Sequence, residues 1–225
     1  MENAEIVYFP EDRAASAGQS EPAALLLEAF RKCGKPFAIG WDLIDATQQQ
    51  ALDELDAKPA DAREAAVRRL ELIGSGRARE YCRSVLRQGR LAGVRHLALR
   101  SPAALLAKLS TTERLTPEEE QIFPRGFRSP PGGLQAYAER LSARREPSDG
   151  SAAGSYRAEM LREQFAAEVI VRHFRGATPE SKLLVFSSEA DLEIGRGVPF
   201  YVAQKLKLRQ LVFGPDVPGS AGARL

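Results

Sequence analysis

A chain of 225 residues with 44% hydrophobic content can bury a sizeable core, and one domain with embellishments is the economical reading. Its 32 Lys and Arg stand against 30 Asp and Glu, for a formal charge of +2, so no strong field calls for nucleic acid or an anionic membrane surface. Cys33 and Cys82 are isolated, which excludes a disulfide scaffold and a paired-cysteine metal site.

The start, "MENAEIVYF", is acidic where a secretory signal is basic, and no window reaches the roughly 18 apolar residues of a membrane span. No transmembrane segment is expected, and the chain as given reads as soluble. The run "IVYF" at 6–9 predicts the first strand, and "EPAALLLEAFRK" has helical spacing before a second strand, "FAIGW" at 37–41. Thr47-Gln48-Gln49-Gln50 offers a capping-box start for "ALDEL", and helical patterns follow at about 60–72 and 77–90. Residues 46–92 therefore read as a helical insertion before a third strand, "VRHLAL" at 94–99. Ser101-Pro102 offers an N-cap and a proline at the first helical position, and Thr116-Pro117-Glu118-Glu119 adds a capping-box glutamate.

The polar, Gly/Ser/Pro-rich stretch at 142–155 reads as a flexible loop. Beyond it, apolar residues at 161, 165, 169 and 170 predict a long amphipathic helix over 156–174. "KLLVF" at 182–186 and "RQLVF" at 209–213 predict the last two strands, with a helix "PFYVAQKL" between them. Residues 1–214 form one expected domain, and 215–225 read as a disordered tail.

Strands alternating with helices argue for an α/β fold with a mostly parallel central sheet flanked by helices. Ligands in such sheets bind beyond the carboxyl ends of the strands. Four segments should converge there: Pro10-Glu11-Asp12-Arg13, Asp42, Arg100, and Ser187-Ser188-Glu189-Ala190-Asp191. The resulting rim holds carboxylates, hydroxyls and arginines, but no histidine. Glu11, Asp42 and Asp191 could serve acid–base work or hold a hard cation through oxygen. The preferred reading is a remnant polar network in which Arg13 or Arg100 satisfies Glu11 and Asp42 without metal. No catalytic residue and no metal ligand set is assigned. Gly195, Gly197 and Pro199 shape the loop and start the next helix. The arginine-rich stretch from Arg63 to Arg90, interleaved with Glu64, Glu71 and Glu80, reads as a solvated helical face. No G-x-S-x-G, Walker A or H-E-x-x-H motif is present.

The segments "IVYFPED", "FAIGWDLIDATQQQALDEL", "VRHLALRSPAALLAKL" with "LTPEEEQIFP", and "KLLVFSSEADLEIGRGVPFYVAQKL" resemble, in order and chemistry, the ChaN-like haem-binding uptake family. That family shares a superfamily with Tiki-type metalloproteases and erythromycin-esterase-like proteins, and the resemblance covers roughly residues 5–213. Its members look like G-E-x-H after the first strand, where this chain has Pro10, Glu11, Asp12 and Arg13. The G-x-E after the second strand is matched by Gly40 and Asp42. The G-x-G-H after the fourth strand is replaced by Ser188, Glu189, Ala190 and Asp191, while Gly195-Arg196-Gly197-Val198-Pro199 keeps the following G-x-G-x-P. Both signature histidines are absent, and Arg13 brings a fixed positive charge to the place of a metal cation.

The resemblance implies a ChaN-like fold and a divergent, non-catalytic module that binds haem or a related tetrapyrrole, or interacts with proteins. Its ligand-binding rim would be Glu11, Arg13, Asp42, Arg100, Ser188 and Asp191. Haem requires an axial ligand such as His, Tyr, Met or Cys, and the formal candidates are His96, His173, Tyr8, Tyr156, Tyr201, Cys33 and Cys82. A metal-dependent hydrolase using Glu11, Asp42 and Asp191 is one rival reading. An assembly subunit with no small-molecule ligand, associating through Arg83 and Arg87, is another. A protein partner or self-association is expected. By family analogy the chain would belong to a larger membrane-associated protein, in a chloroplast or in a bacterial cytoplasm or periplasm.

Overall fold

The five apolar runs become the strands of one sheet: β1 (Ile6–Pro10), β2 (Phe37–Asp45), β3 (Arg95–Arg100), β4 (Lys182–Ser187) and β5 (Gln210–Val212). The computed structural model describes residues 3–10, 21–57, 65–66, 68–70, 94–111, 114–144, 152–188, 192, 196–213 and 223–224. The strands lie in the order β3-β2-β4-β1-β5, and all neighbours run parallel. A two-residue strand, β6 (Ala223–Arg224), pairs antiparallel with β5 inside the stretch read as a tail. Every residue of the inner strands β1 and β4 is buried. Strands covered on both faces are continuous apolar runs, and that is why these were readable without alternation.

The helices are α1 (Glu21–Lys32), α2 (Gln49–Ala57), α3 (Ala103–Ser110), α4 (Pro117–Gln121), α5 (Gly133–Arg144), α6 (Ala152–Gly176) and α7 (Gly197–Ala203). One face of the sheet packs Val7, Ile39, Trp41, Leu184 and Phe186 against Leu26, Leu27 and Phe30 of α1 and Leu52 of α2. The other packs Ile6, Tyr8, Leu99, Leu183 and Val185 against Ala166, Ala167 and Ile170 of α6 and Val202 of α7. Two small residues at the centre of α6 let that long helix settle closely on the strands.

Helix α6 fills the expected 156–174 helix and extends it at both ends. With α5 it takes up the flanks of the expected 142–155 loop, whose centre lies outside the described residues. Helix α2 and helical residues at 65–66 and 68–70 fall in the expected insertion; the remainder, including the 77–90 pattern, also lies outside them.

The Thr116 capping box is formed as expected: its side chain accepts from Glu119 N, while the Glu119 side chain accepts from Thr116 N at 2.8 Å. Two other starts differ. The cap before α2 is Asp45, whose Oδ1 accepts from Thr47 N at 2.9 Å and leads into the short 3-10 turn Ala46–Gln48, so Thr47 is not the capping residue. Helix α3 begins with Pro102 as the N-cap residue rather than the first helical one, and Ser101 does not cap it. The Ala103 amide instead donates to Asp45 Oδ2 at 2.7 Å. One carboxylate on β2 therefore serves two helix starts.

The exposed flank of edge strand β3 is covered by a side chain that mimics a strand. Gln49 on α2 donates through Nε2 to His96 O at 2.9 Å and accepts through Oε1 from Ala98 N at 2.7 Å. Both amide groups of the side chain are used, which closes the edge to further pairing.

Candidate functional site

The rim is built where β2, β4 and β3 end. Gly40 pairs with Val185 and Trp41 with Phe186, so Asp42 and Ser187 follow side by side. Asp42 is 1% exposed, and its Oδ2 accepts a hydrogen bond from Ser187 Oγ at 3.0 Å. Gly40 has no room for a side chain, because a Cβ there would lie 2.7 Å from Leu99 Cδ1. The motif glycine thus lets β2 accommodate its neighbour Leu99 just before the rim.

Arg100 does not stand opposite Asp42. The β2–β3 register jumps from Trp41↔Ala98 to Asp45↔Arg100, a bulge that puts Arg100 beside Asp45. Strand alternation turns Arg100 to the face opposite Leu99, and its buried Nε has no hydrogen-bond partner among the described residues. Ser101, one residue later, is fully buried, with an Oγ that likewise has no partner among the described residues. Ser188 is half-buried just past β4. Gly197 has φ +77° at the start of α7, a left-handed conformation that glycine adopts without strain. Pro199 lies in the first turn of α7, and its carbonyl accepts from the buried Gln210 side chain at 3.1 Å. Glu11, Arg13, Asp191 and Gly195 lie outside the described residues.

Asp45 and Ser101 are the rim residues that sequence reasoning passed over. Asp45 had a usable signal, since an aspartate two residues before a threonine at a strand end is an Asx-type turn. Ser101 had none, because only the strand pairing reveals which side of the sheet it faces.

The axial candidates separate by topology. His96 is 3% exposed, and its Nδ1 accepts from Trp41 Nε1 at 3.1 Å. Tyr8 is fully buried and donates to Gln210 Oε1 at 2.7 Å; burial pushes its phenol well above the usual range. Burial first, and the nearby Glu163 second, push the Tyr201 phenol up as well. None of these three is available to an outside ligand. Helix α6 leads into β4, so His173 in its last turn lies toward the amino ends of the strands, away from the rim. Cys33, between α1 and β2, lies at that same end. Tyr156, in the first turns of α6, is the described candidate on the rim side; it is half-buried, with its ring centroid 5.6 Å from that of Tyr137. Its hydroxyl occupies the space that a side chain at Gly133 would fill. The phenolic oxygen of Tyr156 is thus packed against the backbone of Gly133. Cys82 lies outside the described residues.

No group of three or more His, Cys, Asp or Glu side chains is placed to hold a metal ion among the described residues. No helix among them is long and apolar enough to cross a membrane.

A parallel sheet covered on both faces, with a polar rim at its carboxyl ends, defines an α/β protein. The model of the family described as haem-binding uptake, Tiki superfamily, ChaN matches residues 1–202, and the chain belongs to that family. Among solved structures it is similar to ChaN of Campylobacter jejuni, described with cofacially bound haem. The TM-score is 0.68 at 11% identity, over 94% of this chain and 81% of that one, a likeness of fold. Weaker likenesses are to an erythromycin esterase in its open conformation, with TM-score 0.47, 15% identity and 93% and 70% of the two chains covered. The toxin effector domain RRSP of Vibrio vulnificus gives TM-score 0.46 and 13% identity, over 93% of this chain and 33% of that one. No curated protein matches the sequence.

Proposed function

We propose that this chain is a non-catalytic, ligand-binding member of the ChaN family whose ligand class is haem or a related tetrapyrrole. Membership over residues 1–202 supports the ligand class. The observation that carries the non-catalytic half is Asp42. The carboxylate at the centre of the described rim is 1% exposed, and one of its oxygens accepts from Ser187 Oγ, which supports a structural role. Arg13 and Asp191, at the positions of the motif histidines, support it further, since neither replaces an imidazole as metal ligand or general base. Tyr156 is the residue that would hold the iron, through its phenolic oxygen.

The test is a haemin titration of the purified chain, followed by Soret absorbance and by the fluorescence of Trp41, the single tryptophan, with metal content measured on the same sample. The expected result is one saturable site with quenching of Trp41, weakened about tenfold or more by Tyr156→Phe. No spectral shift would remove the tetrapyrrole reading. A stoichiometric divalent ion that is lost in Asp42→Asn would put the metal-dependent hydrolase in its place.

A further inference from the structure

Toward the opposite end of the sheet, the segment following α4, the outer face of α6 and the end of α7 enclose a cleft of about 320 Å³. We propose that this cleft binds a small organic dianion, a compact apolar body carrying two carboxylate or phosphate groups. The inference is independent of the haem reading and uses none of the rim residues.

Charge is the first argument. Arg125 comes from the segment after α4, Arg172 and Arg175 from α6, and Lys205 from just beyond α7, while Glu168 is the one carboxylate lining the cleft. Glu168 reaches Arg172 only at 4.0 Å. Folding thus gathers four cations from three separate segments around one carboxylate, an arrangement that self-repulsion disfavours and an anion relieves. Arg172 and Arg175 are neighbours at i,i+3 on one wall, with Arg125 and Lys205 contributed by other segments. Two cationic walls suit two anionic groups, and guanidinium pairs with carboxylate or phosphate in a bidentate manner.

The wall is also built rather than loose. Arg128 N donates to Gln204 Oε1 at 2.8 Å, and Gln204 Nε2 donates back to Arg128 O at 2.9 Å. Lys205 Nζ donates to Arg125 O at 3.4 Å and sits 4.7 Å above the Phe127 ring, which in turn packs edge-on against Tyr201. Gly126, at φ +76°, makes the turn between them, and a Cβ there would lie 2.8 Å from Lys205 Nζ. Lys205 is therefore held in place before a ligand arrives, which lowers the ordering cost of binding at that point of the wall. Phe123, Pro124 and Phe165, all half-buried, supply the apolar surface between the charges. The volume lies at the lower end of the roughly 300–1,000 Å³ of small-molecule sites.

Isothermal titration of the full chain with benzene-1,3-dicarboxylate, pyrophosphate and benzoate at fixed ionic strength tests the proposal. Benzene-1,3-dicarboxylate should bind about tenfold or more tightly than benzoate; pyrophosphate, with about two to three charges near neutral pH and no apolar body, reads how much charge alone contributes. Arg172→Gln combined with Arg175→Gln should weaken the tighter probe about tenfold, while Arg157→Gln, exposed elsewhere on α6, leaves it unchanged. These are surface substitutions, and far-UV circular dichroism verifies that each variant is folded. Equal binding of dianions and benzoate, no heat with any probe, or an equal loss in Arg157→Gln would overturn the proposal.

Discussion

Gly40→Ala tests whether the glycine of the rim motif serves packing between strands rather than a ligand. The added Cβ would lie 2.7 Å from Leu99 Cδ1, 3.4 Å from Leu99 Cγ and 3.5 Å from Val185 Cγ2. The first contact is about 1 Å inside the optimal separation of two carbons. Leu99 is fully buried in the core between the sheet and α6, so its methyl cannot swing into solvent. Overpacking of this kind costs about 1–3 kcal/mol, and alanine recovers about 0.4–1 kcal/mol through the stiffer unfolded chain. The net expectation is a loss of about 1–2 kcal/mol, read as a urea midpoint lowered by about 0.5 M and a Tm lowered by about 3–6 °C. Leu99→Val removes the offending methyl, so the double variant should recover about 1 kcal/mol relative to the sum of the single ones. Additivity within about 0.3 kcal/mol, or a stabilised Gly40→Ala, would refute the close-approach argument. Haemin affinity lost without loss of stability would instead make Gly40 a ligand contact.

Asp45→Ala removes the acceptor of both Thr47 N and Ala103 N and should cost about 1–2 kcal/mol. Thr47→Ala should cost clearly less, and the reverse order in chemical denaturation would show that the threonine is the cap after all. Burial, and secondarily the charge of Arg95, hold the half-buried His173 imidazole below its ordinary pKa of 6.5. A depressed histidine stays neutral in the fold while the unfolded chain takes up a proton. Its stabilising contribution is therefore complete above pH 6.5 and is lost as the pH falls toward the depressed value. His173→Gln should flatten the acid side of the stability–pH curve, and an unchanged slope in urea titrations across that range would count against His173.

All five apolar runs became strands because buried parallel strands announce themselves locally, as short continuous runs between turn residues. What escaped the sequence was supplied across the fold. The α3 start takes its capping oxygen from Asp45, 58 residues earlier, so Ser101-Pro102 looked self-sufficient when it was not. Arg100 was expected to satisfy Asp42, but the bulge after Trp41 carried it past that position to Asp45. The basic cleft was equally illegible: Arg125 and Lys205 are 80 residues apart, and neither stands in the arginine-rich stretch that attracts the eye.

The residues that hold the scaffold are distinct from those at the motif histidine positions. Gly40 answers to Leu99 and Gly197 to a left-handed turn; both demands come from the backbone and persist whatever the rim binds. The motif histidine positions, held here by Arg13 and Asp191, lie outside the described residues. Asp42, a carboxylate at a motif position, is buried and accepts from Ser187 Oγ. The two proposed sites lie at opposite ends of the sheet, Tyr156 at one and the cationic cleft at the other. Binding at the two ends should therefore be separable. Tyr156→Phe should leave dianion binding intact, Arg172→Gln with Arg175→Gln should leave the haemin spectrum intact, and cross-sensitivity between them would mean a single site.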